Sequence, residues 1–181
     1  GSEGDLYVRA NRIIGNAYVT SSGVEDIVTN VVTDLIATAS SGEPSEDITT
    51  VIADIDGSGT VDEADLDVLA VMLNNIADGA DYLNAAAIAS PGDTDLQLEN
   101  IIANLAAAVI TVMNMNTALL DEFSAYLESG NDGGNDFSGV LVNIEAAADS
   151  VDNILNYAEP GSPSYEVASA LNDFLNFFTT H

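Results

Sequence analysis

An all-α fold, an irregular bundle of about six to seven helices with one calcium-type loop, is predicted by three features of the sequence. Apolar residues recur at i, i+3 and i+4 over most of the chain. No stretch alternates apolar and polar residues for long enough to make a convincing strand. Clusters of Gly, Pro, Ser and Asn punctuate the periodic runs at helical lengths. With 181 residues, 47% of them hydrophobic, the chain has material for a single domain, 1–181, with a real core.

Leu6, Ala10, Ile13, Ile14 and Ala17 set a first helix over roughly residues 5 to 20, slightly weakened by Gly15. After Ser22-Gly23, the residues Val24, Ile27, Val28, Val31, Val32, Leu35 and Ile36 form an unbroken stripe, which outweighs their β-branched bias and predicts a second helix to about Ala39. Ser40 to Pro44 is a loop, and Ser45 caps a short entering helix carrying Ile48, Val51 and Ile52. Beyond residue 65 an exiting helix carries Leu66, Leu69, Met72, Leu73 and Ile76 and is expected to end at Gly79. Tyr82 to Ala89 reads as a separate short helix, closed by Ser90-Pro91-Gly92.

The longest element is predicted from Asp93 to about Glu128, with Leu105 and Val112 in its buried stripe. It holds no charge between Glu99 and Asp121, a length that could span a bilayer. The scattered Asn100, Asn104, Thr111, Asn114, Asn116 and Thr117, and the absence of flanking Lys or Arg, predict instead a central helix of the bundle and no membrane span. In that setting Asn114 and Asn116 would bond across helices or face an oligomer partner. Gly130 to Gly134 is an exposed turn, or a weak second ion site. Val140 to about Ala158 and Tyr165 to Phe178 complete the helices, separated by Pro160-Gly161-Ser162-Pro163. The aromatic stripe of the last helix reads as core.

Oxygen ligands converge at one place, Asp54-Ile55-Asp56-Gly57-Ser58-Gly59-Thr60-Val61-Asp62-Glu63-Ala64-Asp65. With Asp54 as position one, side-chain oxygens fall at one, three, five and nine (Asp54, Asp56, Ser58, Asp62) and a carboxylate at twelve (Asp65). Thr60 at seven offers its carbonyl, and Gly59 at six makes the sharp turn. A hard cation wants six or more oxygens at about 2.3–2.6 Å, which such a loop delivers, so the expected cofactor is Ca2+. An acidic surface turn is the alternative reading.

The loop resembles the EF-hand. Its continuation, Asp65-Leu66-Asp67-Val68-Leu69-Ala70-Val71-Met72-Leu73, resembles the loop-plus-helix half of dockerins, which also favour Asp at position twelve. The resemblance covers residues 54–73 and implies calcium binding and, for dockerins, attachment to a scaffold partner. The chain has no second segment of that spacing, and Ala70 and Val71 stand where dockerins present polar or basic residues to cohesin.

Charge bounds the partners. Thirty Asp and Glu face two Arg and no Lys, a formal net charge of −28. Such a surface repels nucleic acid and anionic membranes, attracts divalent cations and strains the compact state unless salt or bound metal screens it. Arg9 and Arg12, one turn apart, read either as a contact for a neighbour's acidic surface or as local ion pairs with Glu3 or Asp5.

Catalysis has little material. The lone histidine is His181, which with Gly1-Ser2-Glu3-Gly4 reads as a cloning remnant or a processed end, and no cysteine is present. The chain lacks a P-loop and a G-x-G-x-x-G. The expected function is therefore a non-enzymatic, calcium-binding structural or adhesive module of a secreted or cell-surface assembly, with a protein partner or self-assembly. The alternatives are a dockerin-like module binding a scaffold, and a calcium sensor or buffer in the cytoplasm of a halophile. One hand and three Met fit a sensor poorly.

Overall fold

The computed structural model describes residues 3–22, 63–115, 117–129 and 133–179. Among these residues there are six helices and no strand: α1 (Glu3–Ser21), α2 (Glu63–Ala89), α3 (Thr94–Met113), α4 (Thr117–Ser129), α5 (Ser138–Tyr157) and α6 (Pro163–Thr179). The predicted helix at 24–39, the entering helix and most of the calcium-type loop lie outside the described residues.

The helices pack as a series. α1 lies on α2, α2 on α3, α3 on α5 and α5 on α6, while direct contact between α1 and α3 is slight. α3 is buried because it carries two apolar faces. Leu96, Ala103, Ala107 and Ile110 pack with Met72, Ile76, Ala80 and Leu83 of α2. Ile101, Leu105 and Ala108 pack with Val140, Ile144, Val151 and Ile154 of α5 and with Leu171 and Leu175 of α6. The central helix expected from the sequence is thus present, with Leu105 buried and Val112 partly so. The stretch Thr94–Val112 is long and apolar enough to cross a membrane, and 61% of it is buried inside the fold, as a surrounded core helix requires.

That helix is shorter than its periodicity predicts. At its end the Met115 amide reaches back to the Val112 carbonyl at 3.0 Å, a tightened last turn. Asn114 donates from both its backbone N and its side chain to the Ile110 carbonyl, at 3.1 and 3.0 Å. An Asn carboxamide that bonds its own backbone competes with helix propagation, so the uncharged run divides into α3 and α4. α4 is held through Phe123, whose ring lies 5.1 Å from that of Phe137, with Tyr126 stacked alongside.

The opposite correction applies upstream. Gly79 does not end a helix, and the two expected pieces are one continuous α2 through Ala89. A terminating glycine takes a left-handed conformation; among the described residues only Gly133, Gly134 and Gly161 do so. Gly161 follows Pro160 in a turn closed by Ser162 N donating to Glu159 O at 2.9 Å, the pattern of a type II turn. Pro163 then opens α6, where its missing N–H costs nothing. Ahead of α5, the Ser138 hydroxyl and amide hold the Asp136 carboxyl below the usual carboxylate range.

Candidate metal centre

Of the predicted ligands, Asp54, Asp56, Ser58, Thr60 and Asp62 lie outside the described residues. Asp65, the closing position of the loop, belongs to the first described turn of α2. Among the described residues no group of three or more His, Cys, Asp or Glu could hold a metal ion. The candidate site therefore rests on the loop at 54–65, and what the structure supplies is the helix that leaves it.

That helix is fixed in the fold within two turns of Asp65. Met72, Ile76, Ala80 and Leu83 recur along one side and are buried, Ile76 completely. On another side α1 crosses it at very close range. A Cβ on Gly15 would stand 2.7 Å from Leu83 Cγ and 3.0 Å from the Gly79 carbonyl oxygen; one on Gly79 would stand 2.9 Å from Val19 Cγ2 and 3.1 Å from the Gly15 carbonyl oxygen. Both glycines are thus explained by backbone approach, and Tyr18 stacks on Tyr82 beside them with ring centroids 5.9 Å apart.

Electrostatically, the described helices hold a compact ion-pair node. Arg12 donates from Nε and NH2 to the two carboxylate oxygens of Glu99, at 2.9 and 2.6 Å, and from NH1 to Asp93 Oδ2 at 3.3 Å. Asn16 adds a bond to Glu99 Oε2 at 3.0 Å. Asp93 has a second task, because its Oδ1 accepts from Leu96 N at 3.1 Å as the N-cap of α3. The guanidinium pKa is raised, chiefly by the hydrogen bond to Glu99, against the opposing effect of burial. Arg12 therefore pairs across the fold with α3 and the turn before it. The local partners expected from sequence, Glu3 and Asp5, are not the ones it takes.

A buried amide network runs beside this node. Gln97 and Asn100 are fully buried, and Asn104 and Ser150 nearly so. Gln97 Nε2 donates to the Ala87 carbonyl at 3.0 Å and so satisfies the end of α2. Asn100 Nδ2 donates to Ser150 Oγ of α5 at 2.9 Å and to Asn84 Oδ1 of α2 at 3.4 Å, and Asn104 Nδ2 donates to Asn100 Oδ1 at 2.8 Å. One carboxamide thus ties three helices. The cross-helix role assigned from sequence to Asn114 belongs here instead; Asn114 bonds within α3, and Asn116 lies outside the described residues. The overlooked signal is phase, since Gln97, Asn100 and Asn104 fall three and four apart on one helical face.

Comparison of the chain with protein-family models, with curated proteins and with solved structures finds no match. The described residues define the class on their own terms: an all-α array of helices packed in series.

Proposed function

We propose that the chain is a non-enzymatic, calcium-binding structural or adhesive module of a secreted or cell-surface assembly, with Ca2+ held by Asp54, Asp56, Ser58, Thr60, Asp62 and Asp65. The observation that carries this reading is the spacing of those oxygens together with the place of Asp65. It is the closing ligand, and it sits on a helix whose next turns, through Met72 and Ile76, belong to the core. Removing the ion leaves four carboxylates crowded in one loop of a chain carrying −28. Binding stabilises the folded state by RT ln(1 + [L]/Kd), about 2.7 kcal/mol at a hundredfold excess over Kd.

Asp65 is one methylene shorter than the Glu that usually closes such a loop, and Ser58 replaces a carboxylate. The expected affinity is therefore that of extracellular modules, about 10⁻⁵ to 10⁻³ M. Calcium is expected to raise the melting temperature by several degrees more than NaCl of equal ionic strength does. Asp54→Ala should remove that increment and leave the general salt effect in place. An identical calcium response in variant and parent would identify the loop as an acidic turn and end this reading.

A second reading, a dockerin-like module attaching to a scaffold partner, is favoured by one side chain. Val71, on the helix after the loop, is 62% exposed. Calcium-dependent capture of a cohesin, lost in Val71→Asp, is the result that would select it.

A further inference from the structure

α4 is attached to the fold differently from the other described helices. α1, α2, α3, α5 and α6 each pack along at least one neighbour, whereas α4 packs along none of them. Of the described α4 side chains Phe123 alone is buried; Leu119, Tyr126 and Leu127 are half-buried against the same core, and the rest are exposed. By contrast α5 buries residues along most of its length, from Val140 to Ile154.

The attachment is an aromatic clasp. The Phe123 ring lies 5.1 Å and the Tyr126 ring 5.5 Å from that of Phe137, which is buried at the N-cap of α5. Phe137 belongs to the body of the fold, because its carbonyl accepts from Val140 N and Leu141 N at 3.0 and 3.1 Å in the first turn of α5. On the solvent side, Asn135 Nδ2 donates to Glu122 Oε2. Both flanks of α4 suit a hinge. Asn114 and Met115 close α3 with bonds back to Ile110 and Val112, so its ladder does not run on into α4. Beyond α4, Gly133 and Gly134 hold φ of +61° and +89°, a region that glycine enters at no steric cost.

We propose that α4 is a flap that opens on its own, Phe123 and Tyr126 withdrawing from Phe137 while the core formed by α2, α3, α5 and α6 stays folded. The ground is the disparity in what each unit must break. Sub-global opening costs only the contacts of the unit that opens, from almost nothing up to the whole stability of the fold. For α4 these are one buried ring and three half-buried side chains; for α3 they are two apolar faces and the amide network. Once detached, a helix of 13 residues is marginal in water, so opening also unwinds α4 and its own amides report the event. The open form presents Phe137 at the surface.

Native-state hydrogen exchange, resolved by amide in the full chain over a urea series below the unfolding transition, tests the flap. The amides of Phe123 to Leu127 should exchange at least about a hundredfold faster than those of Ile101 to Leu105, with a urea dependence below about a third of theirs, because one short helix exposes little surface. Two variants separate flap from body. Phe123→Ala should speed exchange in α4 at least about tenfold, since it removes the ring that holds the clasp. Ile76→Val, in the core on the other face of α3, should speed exchange in α3 roughly two- to tenfold and leave α4 unchanged, because the flap opens without breaking that contact. A common rate and urea slope for α4 and α3, acceleration of α4 by Ile76→Val, or an α4 indifferent to Phe123→Ala would each overturn the proposal. The first two would mean that α4 opens only with the whole fold, and the third that the clasp does not hold it.

Discussion

Asn100 shows what a single polar residue does in this interior. Its carboxamide bonds Ser150, Asn84 and Asn104 at once, with no exposure to water. Truncation removes more than one hydrogen bond and leaves the Ser150 hydroxyl buried without this partner, while Asn104 Nδ2 keeps its bond to the carbonyl of residue 100 at 2.9 Å. Asn100→Ala is expected to destabilise the fold by about 2–3 kcal/mol, measured by urea denaturation. A change below about 0.5 kcal/mol would mean that the network is redundant. Arg12 is the contrasting case. Its bonds are short and bidentate, but Arg12, Asp93 and Glu99 each keep about a third of their side chains exposed. Solvent screening then holds the net contribution to about 1 kcal/mol or less.

At the scale of elements, the α1–α2 crossing is set by two glycines that sequence rules mark as liabilities. Alanine in place of a mid-helix glycine ordinarily gains about 1 kcal/mol of helix propensity. Here Gly79→Ala would push its Cβ to 3.1 Å from the Gly15 carbonyl oxygen and 2.9 Å from Val19 Cγ2, and the first of these is backbone that cannot swing aside. The variant should therefore be less stable than the parent by about 1–3 kcal/mol despite its better propensity. Thermal melts that show a gain instead would mean that α1 shifts freely on α2. The same crossing governs function under the proposed reading, because α2 is the helix that leaves the candidate calcium loop.

For the whole molecule, charge is the dominant variable. Thirty acids against two cations give repulsion that water alone does not relieve. Raising NaCl from about 0.01 to 1 M shortens the screening length from about 30 to 3 Å, below the spacing of most surface carboxylates. In calcium-free buffer the melting temperature is expected to climb by several degrees across that range, in Asp54→Ala as in the parent. Differential scanning calorimetry giving a flat profile would show that the series of helices bears its charge without assistance. The serial packing fits this demand, since α2, α3, α5 and α6 bury apolar residues against their neighbours and most of the acids on them stay at the surface.

The sequence by itself determined the helical class, the ends of α1, α5 and α6 to within a few residues, the central place of the long uncharged helix and the one loop with ligand spacing. All of these are local: periodicity, capping residues and ligand order are written within a turn or two of the residues concerned. Only the tertiary structure decided which side of α1 meets α2, why Gly79 sits inside a helix, that Arg12 reaches Glu99, and that the amides of α3 join α2 and α5. Each depends on groups far apart in the chain that compete for the same neighbour. At α1 the apolar stripe gives way to a glycine contact, because backbone can approach backbone only where no Cβ intervenes.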